Sequence, residues 1–290
     1  MRERKASQTA SPRSDAPQAR SGTLHDRQFI ASLAHGLTVL EALADHGRDM
    51  SLSELAQTVN QAKPTAWRLV HTLVELGYVR QDPLTRRFAL SPRILALGAC
   101  FESMELKDLA APYLRDLSAR VGETVNMAVL DDDMLIYVER IKTQQVININ
   151  LHVGSRLPLY NTSMGRALVA EMPEEWLRAY IGRIQHQPEA AKYVQNGGRY
   201  LFQILRETRA QGYALNDEEL VSGLRSAATP VRASGGRIVA AINISVPSVR
   251  VSARTLKGSY VPELVKTARE ISRALGYPGA RRSVATGDVA

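Results

Sequence analysis

Lys63, Thr65, Trp67, Arg68, His71 and Thr72 lie within ten residues that contain no acid. On a helix, positions 65, 68 and 72 share one face and 67 and 71 flank it. An ammonium, a guanidinium, hydroxyls and aromatic rings arranged in this way suit hydrogen bonding to phosphates and base edges. Arg68 carries the planar fork that pairs with a guanine edge or a phosphate; Lys63 and Thr65 suit phosphates. The plainer reading of the same face is a solvated helical hairpin.

The elements that must hold this face are legible on both sides of it. In SLSELAQTV, Leu52, Leu55, Ala56 and Val59 recur at i, i+3, i+4 and i+7, the apolar face of a helix. Ser51 and Glu54 form a capping box at its start. Asn60-Gln61-Ala62 reads as a turn, and Pro64 opens a second helix where its missing N–H costs nothing. Ala66, Leu69, Val70, Leu73 and Leu76 line that helix's buried side, and Gly77 ends it. Two helices so joined, the second locally cationic, make a helix-turn-helix, with Ser51, Pro64 and the residues of the cationic face as candidate DNA contacts. Tyr78–Arg80 and Arg86–Leu90 then read as strands around the turn Asp82–Thr85. This hairpin is a wing, with Arg86 and Arg87 near its tip, placed to lie along a DNA backbone. Upstream, Phe29, Leu33, Leu37, Leu40 and Ala44 predict a helix over Asp26–Asp45. Ile30, Val39 and Leu43 widen its stripe enough to face the next helices and a second subunit.

The chain has 290 residues, enough for two cores, and an ordinary composition of 44% hydrophobic and 23% charged residues. Its single cysteine, Cys100, excludes a disulfide framework and a cysteine-rich zinc site; no metal or other cofactor is expected. No apolar run is long enough to span a membrane and no signal peptide is legible, so a cytoplasmic protein is expected. The net charge is +8, yet Asp26–Pro92 holds seven Lys/Arg (27, 48, 63, 68, 80, 86, 87) and seven Asp/Glu (26, 41, 45, 49, 54, 75, 82). The location of the cations, rather than the total, supports a nucleic-acid partner. Residues 1–25 have almost no large apolar residues, and they and the tail 279–290 are expected to be disordered.

Five units are expected: the tail 1–25, a winged helix-turn-helix over 26–91, a linker helix over 92–105, a ligand domain over 106–278, and the tail 279–290. From Thr124 the hydrophobic period falls from 3.6 to 2. TVNMAVL, MLIYVER and VININLHV read as strands, with Asp131–Asp133 as a turn between the first two. The pair Asn148 and Asn150 has no explanation from the sequence. Asn161-Thr162-Ser163 starts a helix whose N-terminus, with Gly165, suits a small anion such as a carboxylate. Helices follow near Pro173–Gly182 and Arg199–Gln211, separated by a loop. Strands at Ala227–Val231 and Arg237–Val246 then precede a last helix from about Ser259 to Leu275. In the latter strand Asn243 and Ser245 share a small, polar face, as do Asn126 and Ala128 upstream, which leaves space for a small polar ligand.

These stretches together resemble the IclR-type transcriptional regulators. The resemblance is carried by SLAHGLTVLEAL, SLSELAQ, KPTAWRLVHTLVELGYV, FALSPRILALG, LPLYNTSMGRALVA, GYALNDEELVSGLRSAATPV and GRIVAAINISVPSVRVS. FIASLAHGLTVL and GLRS are most similar to the branch that regulates aromatic-acid catabolism, the protocatechuate and 4-hydroxybenzoate pathways. The resemblance implies an α+β protein: a winged helix, a connecting helix and a GAF-like effector domain with a mainly antiparallel sheet. It implies a homodimer or dimer of dimers on a partly palindromic double-stranded operator; RNA polymerase is a candidate further partner. It places the effector cavity at Ser163, Met164 and Gly165, at Asp217, Glu219 and Ser226, and at Asn126, Asn243 and Ser245; Tyr160 and Ala128 are further candidates for the same site. Some members carry cysteine where Ser226 stands, so the effector need not be shared with them.

The reading that follows is a ligand-responsive DNA-binding regulator sensing a small carboxylic acid. Two others compete: a constitutive DNA-binding protein with a structural C-terminal domain, and an enzyme acting on a small acid. The enzyme needs a nucleophile–base pair, and Ser163 has no evident histidine partner.

Overall fold

The computed structural model describes residues 29–98, 102–143 and 151–278, and the chain divides into two compact units, 1–99 and 100–290. Both tails, Cys100 and most of the segment VININLHV lie outside the described residues.

The first unit contains α1 (Ala31–His46), α2 (Leu52–Thr58), α3 (Lys63–Glu75), β1 (Val79–Gln81), β2 (Phe88–Leu90) and α4 (Ile94–Gly98). The capping box forms: the Ser51 hydroxyl accepts the Glu54 N–H, and the Ser51 N–H donates to Glu54 Oε2 at 2.7 Å. Pro64 sits in the first turn of α3, as its fixed φ favours. β1 and β2 pair antiparallel, and Met50 bridges to Phe88 as a third extended segment. Val39, Leu43, Met50, Leu55, Val70, Leu73, Val79 and Phe88 form the core. The stripe on the first helix behaves differently from the simplest expectation. Val39, Ala42 and Leu43 are buried, but Phe29, Ile30, Leu33 and Leu37 are each more than half exposed within the chain.

The second unit is a six-stranded antiparallel sheet with helices on both faces. In chain order it comprises α5 (Glu102–Val121), β3 (Thr124–Asp131), β4 (Met134–Ile141), β5 (Arg156–Pro158), α6 (Ser163–Val169), α7 (Glu174–Ile184), α8 (Ala191–Gln211), β6 (Ala214–Asp217), β7 (Leu224–Arg232), β8 (Ile238–Pro247), the short turn α9 (Ala253–Thr255) and α10 (Val261–Ala274). The strand order is β5-β4-β3-β8-β7-β6. Val125, Met127, Ile242, Ile244 and Val246 face α5 and α10; Ala128, Ala228 and Ala241 face α6, with α7 and α8 completing that core. α5 begins at Glu102, so the expected start of the ligand domain at residue 106 falls inside a helix. β5 and β6 were not expected from the sequence. The loop expected over 183–198 includes the end of α7, a 3-10 turn at Pro188–Ala190 and the first turn of α8. α8 is broken at Gln195–Gly198, where Asn196, Gly197 and Gly198 take positive φ, the left-handed region that favours glycine.

Candidate nucleic-acid interface and ligand site

Burial of Ala66, Val70 and Leu73 on one side of α3 leaves Lys63, Pro64, Thr65, Trp67, Arg68, His71 and Thr72 exposed on the other. Arg68 makes no ion pair among the described residues, so its fork is available to a partner. Trp67 is anchored edge-on against Phe88 of β2, ring centroids 6.3 Å apart, which ties the helix to the wing. Thr72 spends its hydroxyl on its own helix, donating to Arg68 O at 2.9 Å.

The two wing arginines separate. Arg86 is exposed at the hairpin turn with φ of 59°. Arg87 folds back: Nη2 lies 2.6 Å from Glu54 Oε2 and 3.0 Å from Asp49 O. Arg87 and Ser51, both expected at the DNA interface, thus make hydrogen bonds within their own domain. Ser51, Glu54 and Arg87 form a joint between α2 and the wing, with Arg87 Nε and Nη2 engaged within the domain.

In the second unit the sheet register gathers a polar cluster on the α6 face. Asn126 on β3 stands opposite Arg140 on β4 and opposite Asn243 on β8, and Ser245 stands opposite Ser226 on β7. Asn126 Nδ2 donates to Asn243 Oδ1 at 2.7 Å, and Asn243 Nδ2 donates to Ser245 Oγ at 3.2 Å. Arg140 Nη1 donates to Asn126 Oδ1 at 3.1 Å. The hydroxyls of Ser163, at the start of α6, and Ser226 meet at 2.7 Å. Ala128, Ala228 and Ala241 keep the neighbouring sheet positions small. Such a set offers amides, hydroxyls and one cation to a small polar molecule.

A second cluster lies around Glu219. Arg166, 2% exposed, pairs with Glu219 through both terminal nitrogens and donates to Tyr160 O and Leu215 O. Tyr193 donates its hydroxyl to Glu219 Oε2 at 2.7 Å. Burial pushes the Glu219 carboxyl up, but hydrogen bonds and charge from Arg166, with help from Tyr193 and Lys192, bring it below its ordinary value. The Tyr160 ring packs on Tyr193 at 4.9 Å. Asn216, buried between the clusters, donates to Asn161 O and accepts from the Glu219 N–H.

Residues 32–83 match the IclR helix-turn-helix domain, and residues 98–273 match the bacterial transcriptional regulator IclR C-terminal domain. The chain belongs to the IclR family of transcriptional regulators. The Pca regulon regulatory protein of Pseudomonas putida is 35% identical over 252 residues, 86% of each chain. The transcriptional repressor IclR of Escherichia coli (strain K12) is 30% identical over 253 residues, 85% of this chain and 90% of that one. Among solved structures, an IclR family transcriptional regulator from Brucella abortus is 31% identical with a TM-score of 0.64, covering 86% of this chain and 94% of that one. An IclR homologue from Microbacterium hydrocarbonoxydans, complexed with 4-hydroxybenzoate, shares the fold at 21% identity and a TM-score of 0.71, covering 84% and 99%.

In this IclR-family chain the residues expected to line an effector cavity in the C-terminal domain do not all meet. Asn126, Ala128, Ser163, Ser226, Asn243 and Ser245 share the α6 face of the sheet. Met164 is buried in the apolar core beside them. Tyr160 and Glu219 instead belong to the Arg166 cluster. Asp217 is exposed and pairs with Arg225 at 2.6 Å. Gly165 serves packing: a Cβ there would lie 2.5 Å from Leu159 O and 2.5 Å from Thr162 Oγ1. At the start of α6 the Gly165 N–H donates to the Thr162 hydroxyl that caps the helix.

Arg140 was missed. Strict alternation from Leu135 and Tyr137 puts 139 and 141 on the α6 face. A β-bulge intervenes: Ala128 opposes Tyr137 but Met127 opposes Glu139, leaving Val138 unpaired. The extra residue turns Arg140, rather than Glu139, toward Asn126. A basic residue at the end of a bulged strand leaves no mark in a period-2 pattern.

Proposed function

We propose that the exposed face of α3, centred on Arg68, binds double-stranded DNA with Arg86 of the wing beside it, and that the Asn126–Asn243–Ser245 cluster receives a small carboxylic acid whose binding alters DNA affinity. The effector reading is carried by one observation: a connected polar cluster sits on a sheet face otherwise lined by alanines and apolar side chains. Buried polar groups cost free energy unless hydrogen-bonded, and a cluster with donors to spare suits a polar guest. The similarity to the Pca regulon regulatory protein favours an aromatic acid, and a role in controlling its catabolism.

Phe29, just before α1, and Leu33 and Leu37 on α1 follow one another at four-residue spacing and remain exposed. An apolar stripe of this kind suits burial against a second copy of the chain. A homodimer would present two α3 helices to a partly palindromic operator.

The test is thermal unfolding of the purified protein with a panel of small acids. An effector at roughly 100 times its dissociation constant stabilises the native state by about 2.7 kcal/mol, visible as a raised melting temperature. A shift with hydroxybenzoates supports the aromatic reading. A shift only with pyruvate- or glyoxylate-like acids supports a different effector class. No shift with any acid, while DNA still binds, favours a structural C-terminal domain.

A further inference from the structure

Arg140 is the charged member of the polar cluster, and it has no counter-ion among the described residues. Its Nη1 reaches the neutral Asn126 Oδ1. Its Nε is buried and makes no hydrogen bond among the described residues. Glu139, the adjacent acid, accepts from the Arg140 backbone N–H instead of the guanidinium, at 2.9 Å. Burial pulls the Arg140 pKa down, the sign of a charge held where solvent compensates it poorly. Other arginines of the same domain are treated differently: Arg166 pairs with Glu219, Arg225 with Asp217 and Arg232 with Glu171.

The network also fixes which way Asn126 points. Its Nδ2 is committed to Asn243, so its Oδ1 must face Arg140. The guanidinium is thereby held on the α6 face with a donor unspent. A half-buried cation with an unspent donor, and no carboxylate paired with it among the described residues, is complementary to a carboxylate supplied from outside, since an arginine fork matches that group's two oxygens.

We infer that Arg140 receives the carboxylate of the effector, with Asn126 and Asn243 positioning the guanidinium. This rests on the reading of the domain as the receptor of a small acid. It also orients the guest. Its anionic end lies at β4, and its neutral end extends along the sheet toward the hydroxyls of Ser163 and Ser226.

The test is calorimetric titration of full-length wild type, Arg140→Gln and Arg140→Lys. Each is titrated with 4-hydroxybenzoate, protocatechuate, pyruvate and glyoxylate, and with the neutral amide of each acid. Wild type is expected to bind one acid more tightly than its amide. Arg140→Gln should bind that acid about thirtyfold more weakly, the scale of a charge-assisted hydrogen bond, with amide affinity unchanged. Arg140→Lys, which keeps the charge but not the fork, should fall between and guards against a glutamine variant that fails to fold. Undiminished acid binding by Arg140→Gln, or equal loss for acid and amide, overturns the assignment to Arg140. Wild type that binds no acid contradicts the underlying sensor reading, a separate result from failure at this residue.

Discussion

Arg166 and Glu219 meet in a two-point ion pair, Nη1 and Nη2 each 2.9 Å from a carboxylate oxygen, across 53 residues of chain. The pair ties α6 to the segment after β6, and so helps place Ser163 over the sheet. Arg166 is buried and Glu219 mostly so. Removing one member of such a pair strands the other, at a cost of about 3–5 kcal/mol. Arg166→Met should lower unfolding stability by that order in a urea titration; a loss under about 1 kcal/mol would show that the pair does not hold α6.

The same pair predicts a pH dependence. The Glu219 carboxyl is held below its ordinary 4.5. A carboxyl lowered in the folded state contributes stability above its unfolded pKa, and that stability is lost as pH falls through the folded value. Wild type should therefore lose stability on acidification below about pH 4.5, and Glu219→Gln should lose less over the same window. Parallel curves for the two proteins would assign the acid sensitivity to other groups.

Gly165→Ala should destabilise the C-terminal unit although alanine is the better helix former. The new Cβ would strike the Leu159 backbone, which cannot swing aside as a side chain can. A loss of about 1–3 kcal/mol is expected, the usual scale of overpacking. An unchanged melting temperature would mean that the Leu159 turn yields.

The wing arginines should divide by phenotype. Arg86→Ala should weaken DNA binding and lower the salt dependence by about one phosphate contact, without loss of stability. Arg87→Ala should lower the melting temperature of the N-terminal unit, because Arg87 is spent on Glu54 and Asp49. Arg68→Ala should weaken DNA binding by about tenfold or more with the fold intact. If Arg87→Ala impairs DNA binding while leaving stability alone, the joint between α2 and the wing is not its role.

Leu33→Asp with Leu37→Asp should convert a dimer to a monomer in sedimentation, since both side chains stand exposed on α1 and touch little of their own domain. A dimer that survives both changes would place the subunit contact elsewhere.

The parts that the sequence made legible are those set by local rules. The capping box of Ser51 and Glu54, Pro64 at a helix start, and the alternation along β8 each depend on residues a few positions apart, so they read directly. The face carrying Asn126, Asn243 and Ser245 followed from the same alternation. What was not legible depends on tertiary pairing or on a break in periodicity. The bulge at Val138 reversed the side on which Arg140 falls, and nothing local marks it. Glu219 finds Arg166 and Tyr193 only through the fold, so a motif-based site could not separate them from the Asn126 cluster. The stripe at Phe29, Leu33 and Leu37 announced a helix correctly, but periodicity does not say whether an apolar face meets its own domain or another chain.

A bound acid acts on DNA binding only through a difference in its affinity for the DNA-binding and non-binding arrangements. The most direct measurement is therefore the affinity of full-length protein for DNA it selects from its own genome, by fluorescence anisotropy. It is made with and without a saturating amount of the acid that most raises the melting temperature. The account predicts a change of roughly 5- to 150-fold, the range of ordinary coupling free energies. Identical affinity with and without the bound acid would contradict it.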